Sequence, residues 1–145
     1  MSGSYRVEDE GWFLVINLLV PGYPSAHEAA LLWWTYVGMG FLFFVMAIMY
    51  HEAGHLMILR ERFKKARINW RKGELSVGEE WMYDKLQPGE RVKVYAYGIF
   101  LGLIPLWAMT MTIPILLSLP YMAAYAIGIL SDIKNIKQAR KEMSA

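Results

Sequence analysis

The chain has 145 residues, of which 56% are hydrophobic and 19% are charged, and it contains no cysteine. This composition excludes an intrinsically disordered protein, which needs low hydrophobicity and high net charge. It also excludes a disulfide scaffold and any cysteine-based metal site or nucleophile. A net charge of +2 is too small to indicate a nucleic-acid partner.

Residues 1–28 are predicted to form an exterior or interfacial segment. Its nine-residue apolar stretch, Trp12–Val20, follows three acidic residues, whereas a signal peptide would carry positive charge there. The stretch is also too short to cross a bilayer as a helix, which takes about 20 residues. It is therefore an interfacial or re-entrant segment, or a strand packed on the rest of the protein.

Two long runs without charge predict three transmembrane helices. Residues 29–50 form a run of 22, and residues 94–131 form a run of 38. The second run is about twice the length of one span, so we expect it to fold back, with Pro114 and Pro120 marking the turn. The expected spans lie at about 29–59, 93–113 and 116–134. The fold class is therefore an all-α integral membrane protein.

The polar segment 60–93 is predicted to hold a small β-hairpin. Apolar and polar side chains alternate over residues 68–77, on both sides of a plausible turn at Lys72-Gly73. The later sequence Gln87-Pro88-Gly89-Glu90 predicts a turn that leads into the second span.

The distribution of basic residues predicts the orientation of the chain. Ten of the 15 Lys and Arg residues lie in the 60–93 loop, four more lie after residue 133, and only Arg6 precedes the first span. By the positive-inside rule, the loop and the C-terminus are cytoplasmic and the N-terminus is outside. The tail, 136–145, is expected to lie as a basic amphipathic segment on anionic lipid.

The candidate chemistry lies at the end of the first span, in His51-Glu52-Ala53-Gly54-His55. Two histidines at i and i+4 share one helical face, so both imidazoles can bind one metal ion. Zinc is the usual ion for this pattern, and Glu52 beside the first ligand is placed to act as general base. The alternative is a polar cluster that forms hydrogen bonds across the bundle.

A zinc site needs a third protein ligand, and Asp132 is our candidate. It ends the long apolar run, so it lies at the same depth near the cytoplasmic face as His55. His27 is excluded, because 24 helical residues separate it from His51, or about 36 Å. The alternative for Asp132 is an N-cap of a tail helix that begins near Ile133.

With these residues the chain resembles the site-2 protease family of intramembrane zinc metalloproteases over about residues 29–135. The family has a three-helix core with HExxH on the first helix and an Asp ligand on the third. Gly98-Ile99-Phe100-Leu101-Gly102 fits its second motif, and Leu86–Arg91 resembles the lead-in to it. Residues 129–133, Ile-Leu-Ser-Asp-Ile, keep the Asp of the third motif but lack its following Gly and a Pro close before it. In this the chain is also similar to compact zinc-peptidase-like membrane families that end in an Asp-Ile pattern.

The resemblance implies one Zn²⁺ per chain, held by His51, His55 and Asp132, with Glu52 as the catalytic base. It implies a substrate-binding role for Gly98 and Gly102, although this pattern is equally read as close helix packing. It also implies that the hairpin clamps an extended substrate.

The predicted function is therefore a membrane zinc endopeptidase that cleaves membrane-spanning or membrane-anchored peptides near the cytoplasmic face. Its partners are the bilayer and the transmembrane substrate, with no nucleic acid, and a homo-oligomer or a membrane partner subunit is left open. The main alternative is a non-proteolytic membrane scaffold or partner-binding subunit that keeps the same core. A metal transporter is a third reading, which would need ionisable residues along the upper halves of the spans.

Overall fold

A computed structural model describes residues 26–71 and 74–145, so the predicted segment Trp12–Val20 lies outside the described residues. Three helical stretches are long and apolar enough to cross a membrane. The predicted helical architecture with one small two-stranded sheet is confirmed for the described residues. In chain order the elements are α1 (Ala26–Arg62), β1 (Ile68–Arg71), β2 (Glu74–Val77), α2 (Glu80–Asp84), α3 (Pro88–Thr112), α4 (Ile115–Gly128) and α5 (Leu130–Ser144).

The long helix α1 has no proline to interrupt it, and it extends three residues beyond the predicted span at each end. It packs mainly on α3, and the two backbones touch where Gly54 meets Gly98. A Cβ atom added to Gly54 would lie 2.8 Å from the Gly98 Cα, so no larger residue fits there without displacing a helix. Glycine is therefore what permits the close approach of α1 and α3.

The helix α3 begins at Pro88, five residues before the expected start of the second span. The turn predicted at Gln87–Glu90 is therefore wrong, because these residues cap the helix and form its first turn. Proline suits the first helical position since its missing N–H has no partner to lose there. The Gln87 backbone N–H also donates to the Glu90 carboxylate at 2.8 Å, as part of a reciprocal capping box.

The reversal between α3 and α4 needs only Ile113 and Pro114. The prediction that Pro120 marks this turn is wrong, because Pro120 lies inside α4. A proline in a helix removes one backbone hydrogen bond, but contacts with a neighbouring helix can compensate. Here the Tyr121 hydroxyl donates to the Val37 carbonyl at 2.8 Å and fixes α4 to α1 next to that proline.

The third apolar stretch is divided at Ile129, where α4 ends and α5 begins. Asp132 lies in the first turn of α5, so the alternative that it caps a helix starting near Ile133 is wrong. α5 packs along the first half of α3, with Ala139 fully buried and an ion pair between Arg91 and Glu142. The predicted tail, 136–145, is thus almost entirely the end of helix α5, which is docked on α3, and its contact with lipid stays a prediction.

The two predicted strands of the hairpin are confirmed, with Ile68 opposite Val77 and Trp70 opposite Leu75, whereas the predicted turn at Lys72-Gly73 lies outside the described residues. The hairpin is attached through Val77, which is 4% exposed. The short helix α2, which the sequence analysis did not predict, contributes Met82 to the same packing. Val77 belongs to a buried apolar cluster with Leu59, Ala66, Met82, Leu86 and Val94. We call this end of the molecule the basic end. It comprises the hairpin, the C-terminal end of α1, the N-terminal end of α3, and α5.

Candidate metal centre

The three predicted metal ligands converge from two helices. His51 and His55 project one turn apart from α1, and α5 brings Asp132 to them across 77 residues of sequence. The Asp132 Oδ2 atom lies 2.9 Å from His51 Nε2 and 3.1 Å from His55 Nε2. The two Nε2 atoms are themselves 2.9 Å apart. His55 and Asp132 are buried, and His51 is largely so.

The spacing and chemistry of these atoms fit a metal ion. Two ligands bound to a tetrahedral zinc at 2.0–2.1 Å are about 3.3 Å apart, close to the observed separations. Two imidazole nitrogens and a carboxylate oxygen are electron-pair donors, and buried polar or charged groups are paired, hydrogen-bonded or bound to a metal ion. The group of His51, His55 and Asp132 could therefore bind a metal ion.

Glu52 follows the first ligand on α1 but is not part of the triangle of donors. Its side chain is half-buried and lines the same cleft as the three candidate ligands. The carboxylate interacts electrostatically with both histidines and with Asp132. Glu52 therefore lies in the same cleft as the donor triangle without being one of its three members.

Gly98, the first glycine of the predicted substrate-binding pair, lies directly against His55. A Cβ atom added to Gly98 would lie 2.6 Å from the His55 Nε2 atom and 2.8 Å from Cδ2. The second, Gly102, faces Tyr125 in the same way, and an added Cβ atom there would overlap the phenol. Both glycines therefore make room for side chains of the centre, as expected if the glycine pattern serves close helix packing. Their contact with substrate stays a prediction.

Tyr125 is the residue of the centre that the sequence analysis missed. It comes from α4, is 5% exposed, and places its hydroxyl 3.1 Å from His51 Nδ1. A lone tyrosine in an apolar helix carries no motif, and 74 residues separate it from His51. No local pattern could have identified it.

An open cleft of about 1820 Å³ leads from the donor triangle to the hairpin. Its lining includes β2, α2, Tyr83 and Tyr95. The rings of Tyr83 and Tyr95 stack at 5.7 Å, and Tyr95 meets the His55 ring edge-on at 5.6 Å. Burial raises the pKa of Tyr83, so its hydroxyl stays protonated and donates to the Val77 carbonyl at 3.0 Å. This aromatic chain connects the hairpin to the centre.

His27, which the sequence analysis excludes, and the described acidic residues of segment 60–93 are not part of the donor triangle. His27 is exposed at the start of α1, about 36 Å along the helix from His51. Glu61 is exposed, and Glu90 forms an ion pair with Arg62. The other described loop acids with described side chains are exposed: Glu79, Glu80 and Asp84.

Comparison with known proteins adds no relative. No protein-family model matches the chain, and neither a curated protein nor a solved structure is significantly similar to it.

Proposed function

We propose that this protein is a membrane-embedded zinc endopeptidase. The observation that carries the proposal is the convergence of His51, His55 and Asp132, with Glu52 beside them in one open cleft. The spacing of two His ligands and one Glu within a helical turn is the pattern used for zinc-dependent peptide hydrolysis. The proposed family is the site-2 protease type, on the strength of the sequence motifs.

The proposed chemistry divides between the ion and the residues of the chain. When bound, a zinc ion would supply Lewis acidity and lower the pKa of an attacking water. Two imidazoles and one carboxylate would hold the ion beside the cleft. Glu52 would accept the proton of the water on its carboxylate and deliver it to the leaving amine of the cleaved peptide.

The hairpin suggests how a substrate would be held in an extended form. The Gly78 N–H donates to the Arg67 carbonyl at 2.9 Å, which fixes the alternation of hydrogen bonds between the strands. By that alternation, Leu75 directs its backbone N–H and C=O away from β1. Because β2 lines the cleft, an added strand could pair with this edge beside the metal centre.

A membrane-spanning peptide is the substrate class that this arrangement favours. The three apolar helical stretches are proposed to cross the bilayer, with the basic end on the cytoplasmic side. Asp132 lies only two residues before Lys134, whose exposed ammonium group would lie near the membrane surface. Cleavage would therefore occur near the cytoplasmic face, where a substrate helix can unwind.

The test uses the purified full chain in vesicles with a panel of fluorogenic single-span peptides. Glu52→Gln should lower the cleavage rate by about 10²–10⁴-fold, because a general base contributes that much. Its metal content should stay at the wild-type value. The matched control is Glu61→Gln, which removes an exposed carboxylate nine residues further along α1.

The outcomes separate the two main readings. If Glu52→Gln cleaves at the wild-type rate, the proteolytic assignment fails. A wild-type chain that binds zinc but cleaves no peptide of the panel would favour the non-proteolytic scaffold.

A further inference from the structure

The phenol of Tyr125 lies between two helices and touches both. Its oxygen is 3.1 Å from His51 Nδ1 on α1 and 3.2 Å from the Ile99 carbonyl oxygen on α3. The His51 and Tyr125 rings meet edge-on at 5.9 Å, so the hydroxyl reaches the nitrogen that faces away from Asp132. Tyr125 therefore contacts a proposed metal ligand from behind, without touching the place of the metal.

The hydrogen bond to Ile99 sets the direction of the bond to His51. In the structure the phenol donates its single proton to the Ile99 carbonyl, which can only accept. The phenol oxygen then accepts the Nδ1 proton of His51. An imidazole that carries its proton on Nδ1 presents a lone pair on Nε2, which is the atom 2.9 Å from Asp132 and from His55 Nε2.

We infer that Tyr125 is a positioning residue, which holds His51 in the tautomer and ring orientation needed to bind the metal. The inference rests on the proposed metal centre. A hydrogen bond to the second nitrogen of a ligating histidine fixes its orientation and raises its basicity. Here the hydroxyl of Tyr125 provides that bond and also forms a hydrogen bond to the α3 backbone. The proposed metal ligand on α1 is therefore linked to both α3 and α4.

Gly102 belongs to this arrangement. A Cβ atom at Gly102 would overlap the Tyr125 hydroxyl, so only glycine leaves room for the phenol between α3 and α4. The pair Gly98 and Gly102, one turn apart on α3, thus faces the pair His55 and His51 on α1. Gly98 contacts His55 directly, and Gly102 contacts His51 through Tyr125.

The test measures zinc affinity of the full-length chain in detergent by competition with a chelator. Tyr125→Phe should weaken zinc binding by about 10–100-fold, the usual effect of losing such a partner. The matched control is Tyr121→Phe, one turn earlier on α4, which loses a hydrogen bond to Val37 instead. It should leave zinc affinity unchanged.

A second readout separates positioning from general packing. In the zinc-loaded protein with isotope-labelled histidine nitrogens, NMR should detect a proton on His51 Nδ1 that exchanges slowly with solvent. In Tyr125→Phe that proton should exchange faster, whereas the signals of His55 should not change. A merely structural role would leave the His51 proton as in the wild type.

Two results would overturn the inference in distinguishable ways. Equal zinc affinity and equal His51 proton exchange in wild type and Tyr125→Phe would refute the role of Tyr125 while leaving the metal centre intact. A wild-type chain that binds no zinc would refute the metal centre and with it this inference.

Discussion

Gly98 lies against the imidazole of His55, and its missing side chain lets α1 and α3 meet at the proposed metal centre. The Cβ position that it leaves empty is 2.6 Å from the ligand atom His55 Nε2. A methyl group there has no flexible side-chain end to push aside, because the imidazole is held by the donor triangle and by Tyr95.

Gly98→Ala should therefore abolish stoichiometric zinc binding and lower the free energy of unfolding by about 1–3 kcal/mol, as expected for overpacking. Zinc content and thermal unfolding of the purified chain measure the two effects. The control is Gly38→Ala on α1, where an added Cβ meets nothing within 4 Å. Unchanged zinc binding in Gly98→Ala would show that zinc binding by His55 does not require the space left by the missing side chain of Gly98.

Individual residues of the centre differ in how far the sequence could predict them. His51 and His55 follow from their spacing, because helical periodicity alone puts them on one face. Asp132 could be selected because it is the acid that ends a long apolar run, where an unpaired charge is costly. Tyr125 could not, because nothing in its local sequence distinguishes it from other apolar-helix tyrosines.

At the scale of elements, the phase of α5 decides whether the carboxylate reaches the histidines. The helix restarts at Leu130, and from this start residue 132 faces inward while residue 131 is exposed. Neighbouring residues on a helix point about 100° apart. The start of α5 directly after Ile129 therefore orients the Asp132 side chain towards α1.

Exchanging the two residues, as Ser131→Asp with Asp132→Ser, keeps the composition and turns the carboxylate away from the histidines. The double variant should fold, because α5 stays docked through Ala139 and the Arg91–Glu142 pair. It should lose most of its zinc, measured as metal per chain. Wild-type zinc content in this variant would mean that the carboxylate of Asp132 is not a ligand.

The elements themselves were predictable to different degrees. The hairpin and the three apolar helices follow from periodicity and from charge-free length, which are local signals. The sequence predicts a turn rather than a helix start at Pro88, because the Pro-Gly pair is found both in the first turn of helices and in loops. The division at Ile129 directly follows Gly128, but a single glycine inside an apolar run is weak evidence for a helix end, so the sequence predicts one continuous span there.

At the scale of the whole molecule, charge and apolar length together define the proposed placement in a membrane. The exposed basic residues of the loop before β1 and of α5 lie at the basic end, whereas the α3–α4 turn has no charged residue. Two apolar helices, α3 and α4, separate the loop from α5. Both should therefore lie on the cytoplasmic side.

Single cysteines test this placement cleanly, because the natural chain has none. In sealed vesicles, a membrane-impermeant maleimide should label Lys65→Cys and Gln138→Cys from the cytoplasmic side. It should label Ile115→Cys from the opposite side. All three residues are exposed in the fold. Labelling of Ile115→Cys from the same side as Lys65→Cys would contradict the proposed crossing of α3.

Whether His51, His55 and Asp132 hold a metal ion is decided by the metal content of the full chain, purified from membranes without added zinc. We expect about one zinc ion per chain in the wild type and in Glu52→Gln, and near-zero content in His51→Ala and in Asp132→Ala. A wild-type chain without stoichiometric metal, or equal metal in the wild type and the two ligand variants, would refute the proposed metal centre.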